Sequence, residues 1–286
     1  MRLSRIAAVA LTAALAFTAA ACGGDDNDAA GKFAAGTTME RLAKAGKMKI
    51  GTKFDQPLFG LKGLDGKPAG FDVEVAKIIA HELGIKDDNI EWVESPSKDR
   101  EALIMDSKVD MVVATYTIND TRKEKVSFAG PYFVAGQDIL VRKDDMSISG
   151  PESFGDGTKK VCSVTGSTPA KNIETYVKDK TAQLVLFDVY SKCLDALKNK
   201  TVDAITTDNV ILSGYQSQNP NDVRLIGQAF TREPYGIGVK KDDKVFRDFI
   251  NDTLEKAFSD GRYKAAWDAS IKDLIKMPTS LSIVRY

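Results

Sequence analysis

Three short stretches of this chain carry residue types that can grip a small charged molecule. The first is Thr115-Tyr116-Thr117-Ile118-Asn119-Asp120-Thr121-Arg122. It follows an apolar segment that reads as a buried strand and precedes a helical pattern with Asn119 or Asp120 as its cap. Hydroxyls and free backbone N–H groups at a strand end suit a carboxylate. An arginine one helical turn further on can hold that carboxylate through two parallel hydrogen bonds. Taken alone, the same spacing better fits a solvated arginine after a strand. The second stretch, Thr165-Gly166-Ser167-Thr168-Pro169, offers close backbone approach at the glycine, a hydroxyl cap and proline at the first helical position. A helix starting there would aim unpaired N–H groups at an anion, and a plain capped helix start explains it equally well. The third is Asp208. Together they would read an α-amino acid, with Arg122 and the two turns on the α-carboxylate and Asp208 on the α-ammonium.

The elements that must position these residues alternate strand and helix, the pattern of an α/β protein. Met48–Thr52 reads as the first strand. Positions 70–83 read as a helix, with Phe71, Val75, Ile78, Ile79 and Leu83 along one side and Gly84 closing it. His81 falls on the polar side and reads as a surface residue. Another helix is expected over 98–107 and a buried strand over 109–114. The plan then repeats: strand 160–164, helix 169–178, strand 184–187, helix 190–199 and strand 202–206. Lys108-Val109-Asp110 leading to Thr115 echoes Lys200-Thr201-Val202-Asp203 leading to Asp208. The echo suggests two α/β lobes offering strand ends to a shared cleft, since ligands in open α/β sheets sit beyond the carboxyl ends of strands. The β-like segments 137–142 and 235–240 bracket the second unit, and two helical patterns follow at 244–259 and 262–276. Two strand-like crossings make a hinge of the kind that closes around a ligand.

The ends and the composition set the compartment. Arg2 and Arg5 precede an apolar run from Ile6 to Ala21, and Ala19-Ala20-Ala21 leads into Cys22. That is a secretory signal with a small-residue cleavage site. Residues 23–31 are polar and glycine-rich and read as a linker. Lys+Arg 40 balances Asp+Glu 40, so nothing points to nucleic acid or to electrostatic membrane binding. Cys162 and Cys193 form an even pair in an exported chain, most simply a disulfide. No Ser/His pair, Cys/His pair or metal-ligand spacing is present, so neither a cofactor nor catalysis is expected.

Several motifs in order carry a family resemblance: Gly66 through Glu74, Val109-Asp110 through Arg122, Phe128-Ala129-Gly130-Pro131-Tyr132, Gly166-Ser167-Thr168, Thr207-Asp208 and Tyr235-Gly236-Ile237. From about Met48 to about Ala266 the chain resembles the extracellular polar-amino-acid-binding proteins of ABC importers, solute-binding protein family 3, and glutamate-binding members in particular. Cys22 resembles the lipidated cysteine of a lipobox, with Ala19 where leucine is usual. The resemblance implies a two-lobed, type II periplasmic-binding-protein-like fold with a two-strand hinge. Its parts would be a signal peptide 1–21, a lipidated cysteine and linker 22–40, a first lobe 41–139, a second lobe 140–235 and a return to the first lobe 236–286. It also implies a monomer that hands its ligand to a membrane permease, anchored on the outer face of the cytoplasmic membrane, or periplasmic where an outer membrane exists.

The resemblance further assigns Thr115, Thr117, Arg122 and Thr168 to the α-carboxylate and Asp208 to the α-amine. Ala114, Tyr116, Gly166 and Ser167 lie within the same matched turns. Ala114 stands where serine or glycine is usual, and Pro169 replaces a polar residue. Relatives that bind basic amino acids carry an acid where this chain has Lys53. Arg100 matches an arginine that reaches the distal carboxylate in binders of acidic amino acids. Two cations facing a carboxylate imply glutamate or aspartate, because leaving them unpaired in a dry cleft costs several kcal/mol. Phe54 and Phe59 are candidates to pack on the ligand's methylenes, with Phe59 better suited to the core. Glutamine or another polar amino acid is the alternative, followed by an enzyme on the same fold.

Overall fold

The computed structural model describes residues 30–286. The expected signal segment, the lipidation site Cys22 and residues 23–29 of the linker lie outside them. Two mixed five-stranded sheets organise the chain. The first comprises β1 (Met48–Thr52), β5 (Ile90–Glu94), β6 (Met111–Val112), β7 (Val126–Ala135) and β13 (Glu233–Lys240), in the order β5-β1-β6-β13-β7. The second comprises β8 (Gln137–Arg142), β9 (Val161–Val164), β10 (Leu184–Phe187), β11 (Ala204–Asp208) and β12 (Val223–Leu225), in the order β10-β9-β11-β8-β12. In each, three neighbouring strands run parallel and two more add antiparallel. A small antiparallel sheet of β2 (Asp55–Gln56), β3 (Gly60–Lys62) and β4 (Pro68–Ala69) caps the first lobe. The chain passes to the second sheet between Ala135 and Gln137 and returns before Glu233, so two connections join the lobes.

The helix expected over 70–83 runs Phe71–Glu82, and glycine is required at its start. Gly70 has φ 133°, and a Cβ there would stand 2.5 Å from the Phe59 carbonyl carbon. That close approach seats Phe71 against Phe59, Tyr263 and Trp267, with ring centroids 5.4–6.0 Å apart. Phe133 and Tyr235 complete this aromatic core, where each such pair adds about 0.5–1.5 kcal/mol beyond its buried area. Phe59 is fully buried there. His81 is exposed on its helix and bonds to Asp87 Oδ1 at 2.5 Å.

Several elements are shorter than their patterns suggest, for local reasons. The 109–114 segment forms a strand only over Met111–Val112. Asp110 turns its carboxylate onto the Lys49 N–H, and Thr115 leaves the strand with φ 44°. The helix expected to run to residue 178 ends at Ile173, and Tyr176 then packs edge-on against Phe230. The last helix stops at Ser270. Ile271 is buried beyond it, and Ile275, Met277, Leu281 and Ile283 lie along the first lobe's core. Cys162 on β9 and Cys193 on the Tyr190–Lys198 helix form a disulfide. No helix among the described residues is long and apolar enough to cross a membrane.

Candidate functional site

The parallel strands of both sheets end at the same cleft. Lys53 follows β1, Ser97 lies three residues past β5, and Thr115 and Thr117 follow β6. From the other lobe, Gly166 to Pro169 follow β9, Tyr190 follows β10, and Asp208 is the last residue of β11. This is where open α/β sheets place ligands, because strand ends and helix starts present unpaired backbone groups there.

The lobes are shut on one another. The cavity left between them measures about 10 Å³, room for about one water. Gln56, Ser97, Arg100, Thr115 and Thr117 form its wall on one side. Ser167, Thr168, Pro169, Tyr190, Thr207, Asp208 and Ile211 form the other. Four buried polar atoms of this wall have no hydrogen-bond partner among the described residues: Arg100 Nε, Tyr190 Oη, Thr207 Oγ1 and Asp208 Oδ1. Each such atom costs about 1–3 kcal/mol until something pairs with it, so the wall is complementary to a small polar molecule with both donors and acceptors.

Asp208 is the acidic pole. Tyr235 donates its hydroxyl to Asp208 Oδ2 at 2.6 Å, while Oδ1 is free. Burial, with Glu233 nearby, pushes its carboxyl up to about 7, against the Tyr235 bond and the two arginines. Arg122 is the basic pole. Its Nη1 donates to the Thr117 carbonyl at 2.7 Å and to Thr168 Oγ1 at 3.0 Å, and its Nη2 to the Gly166 carbonyl at 3.2 Å. The bonds to Thr168 and Gly166 tie the first lobe to the second. Its Nε also lies 3.3 Å from Glu101. Burial and neighbouring Arg100 lower the Arg122 guanidinium to about 10. Arg100 donates from Nη1 to the Ala114 carbonyl at 3.0 Å, so that backbone acceptor is occupied. Both guanidinium groups lie on the Tyr116 ring, at 4.2 and 5.0 Å, so Tyr116 is the platform under them.

Lys53 is buried and donates to Ser97 Oγ at 2.9 Å. Burial first, then Arg100, lowers its ammonium to about 7. The ion pairs found among the described residues include neither Lys53 nor Arg100. Phe54 is half-buried beneath Lys62, whose Nζ stands 4.8 Å from its ring, and lies off the cavity wall. Gly166 has φ 76°, and a Cβ there would approach Lys98 Cα to 2.7 Å, so only glycine lets the lobes meet at this point. Ser167 caps the Thr168–Ile173 helix by accepting from the Ala170 N–H.

Sequence reasoning missed Gln56, Ser97, Tyr190, Thr207 and Ile211 on the wall, and Asp72 behind it. The Asp72 carboxylate accepts from the Thr115 N–H at 2.7 Å and the Tyr132 hydroxyl at 2.6 Å. It thereby pins Thr115 in a left-handed conformation that β-branched residues rarely adopt. Burial raises this carboxyl to about 7, against those two bonds. Asp72 lies inside one of the matched motifs, and Thr207 adjoins Asp208. Ser97 and Tyr190 could have been found as residues just past strand ends.

Residues 48–269 match the family described as bacterial extracellular solute-binding proteins, family 3. The glutamate-binding protein GluB of Corynebacterium efficiens is 42% identical over 273 residues, covering 91% of this chain and 88% of its own. The ABC transporter glutamine-binding protein GlnH of Bacillus subtilis is 39% identical, covering 89% of this chain and 92% of its own. A solved ancestral arginine-binding protein bound to arginine gives a TM-score of 0.73 at 36% identity, covering 79% of this chain and 98% of that one. The same figures hold for its form bound to glutamine.

Proposed function

This chain belongs to the bacterial extracellular solute-binding proteins, family 3, and from that premise we propose that it captures glutamate or aspartate by lobe closure and delivers it to the membrane permease of an ABC importer. It works outside the cytoplasmic membrane, tethered through Cys22, as a binder and not an enzyme. Asp208 Oδ1 receives the α-ammonium. Arg122 releases its cross-lobe bonds to take the α-carboxylate with Thr115, Thr117 and Thr168. The observation that carries the acidic preference is that Arg100, on the cavity wall, and Lys53, buried on the wall residue Ser97, form no ion pair with a carboxylate among the described residues. A distal carboxylate supplies one. A buried cation without an ion-pair partner costs several kcal/mol, part of which Asp55 and Asp72 offset at Lys53 from a distance, and the ligand carboxylate offsets more.

One observation favours glutamine as the second reading. Burial and the adjacent Arg100 lower the Lys53 ammonium to about 7, and its neutral form accepts from an amide. Calorimetry with all twenty amino acids at pH 7 separates the readings. Glutamate or aspartate binding at least tenfold more tightly than glutamine supports the acidic assignment, and the reverse order refutes it.

A further inference from the structure

Asp55 is the first residue of β2, on the first lobe, yet its carboxylate and carbonyl accept from the second. Its Oδ2 accepts from the backbone N–H of Tyr190 at 2.7 Å and of Ser191 at 3.4 Å. The Tyr215 hydroxyl donates to the Asp55 carbonyl at 2.6 Å and to Oδ2 at 3.2 Å. Tyr190 and Ser191 open the nine-residue helix Tyr190–Lys198, whose own preceding residue, Val189, supplies no side-chain cap. A helix start leaves N–H groups unsatisfied and carries partial positive charge. Helices ordinarily meet that need with their own Ser, Thr, Asp or Asn. Here the cap comes from the opposite lobe and exists only when the lobes are together.

A second contact points the same way. Gly214 lies inside the Asn209–Gln218 helix, where glycine costs about 1 kcal/mol relative to alanine. A Cβ at Gly214 would stand 2.5 Å from the Pro57 carbonyl oxygen. The backbones of the two lobes meet there with no space for a methyl group, Gly214 one residue before Tyr215 and Pro57 two after Asp55. Neither Asp55 nor Gly214 lines the cavity.

We propose that Asp55 is a closure clasp: a cap borrowed across the cleft that stabilises the closed form and seats Tyr190 on the cavity wall, with Gly214 as the flat surface that lets it engage. In the open form the carboxylate and the helix start are both solvated. The clasp therefore acts on the open–closed equilibrium, and every ligand that requires closure gains from it by the same factor. This holds whichever amino acid is bound.

The test compares D55A, D55N and G214A with wild type by small-angle X-ray scattering, without and with glutamate or glutamine, and by calorimetry with both. D55A should weaken both ligands about tenfold, the order expected from losing one helix cap, with a faster dissociation rate. G214A should show the same joint loss and a larger radius of gyration. Its urea midpoint should stay at or above wild type, because alanine favours the helix. That separates failed closure from failed folding. Wild-type radii and affinities in both D55A and G214A would overturn the clasp, as would a loss confined to one ligand in G214A, which keeps the Asp55 charge beside Lys53. If wild type binds neither probe, the acidic-ligand reading falls, and the scattering comparison still decides on the clasp.

Discussion

Replacing Asp208 by asparagine should destroy binding and stabilise the ligand-free protein in the same stroke. The carboxylate is 3% exposed, one oxygen is held by Tyr235, and the other has no partner. Its carboxyl, moved from 3.8 to about 7, carries an ionisation penalty of up to about 4 kcal/mol at pH 8. Asparagine keeps the size and removes the charge, so the ligand-free variant should gain about 1–4 kcal/mol in urea unfolding at pH 8. The sign with pH is fixed. The unfolded carboxyl ionises near 3.8 and the folded one only near 7, so the parent loses stability progressively between those values. The variant's advantage should be absent below pH 4, grow from pH 4 to 7 and be complete above it. Binding goes the other way. Removing the anion that faces the ligand ammonium breaks a buried pair worth about 3–5 kcal/mol, and affinity for glutamate should fall at least a hundredfold. Calorimetry and urea titration on the same samples provide both readings. Glutamate affinity within threefold of wild type would remove Asp208 from the ammonium site. A variant less stable than its parent at pH 8 would refute the cost assigned to the charge.

Glutamate affinity should peak near pH 7. Asp208, at about 7, must be ionised, so affinity rises from pH 5 to 7. Lys53, lowered to about 7, must be charged to pair with the ligand, so affinity falls above it. Glutamine should show the rise without the fall, as calorimetry from pH 5 to 9 will register. Asp72→Ala should lower urea stability by about 2–4 kcal/mol, because the Thr115 N–H and the Tyr132 hydroxyl lose a buried acceptor. Asp72→Asn, whose single carboxamide oxygen can still accept from the Thr115 N–H, should recover part of the loss. Replacing Cys162 and Cys193 by alanine, 31 residues apart, should lower stability by about 3–4 kcal/mol in the chain-entropy treatment. An unchanged urea midpoint would count against it.

Much of the fold is legible from local pattern. The start and end of the Phe71–Glu82 helix follow from Gly70 and the apolar stripe, and β10 and β8 run over the expected residues. The two-lobed plan is visible because hydrophobic periodicity and turn chemistry act over a few residues and are written there directly. Element ends fared worse where a side chain intervened, as Asp110 does beside β6 and Tyr176 does after Ile173.

The sequence by itself determined that Thr115, Thr117, Thr168 and Asp208 would stand at or just past strand ends, since the order of strands and turns in the chain dictates that. Only the tertiary structure decided which groups face one another. It brought Asp55 onto the start of a helix 135 residues away and laid Arg100 and Arg122 on one tyrosine ring. It also left Lys53 on a neutral serine rather than a carboxylate. Such pairings depend on how two sheets close on each other. Closure is set by burial, and by glycines at Gly166 and Gly214 that let backbones touch, and no short-range pattern carries that information.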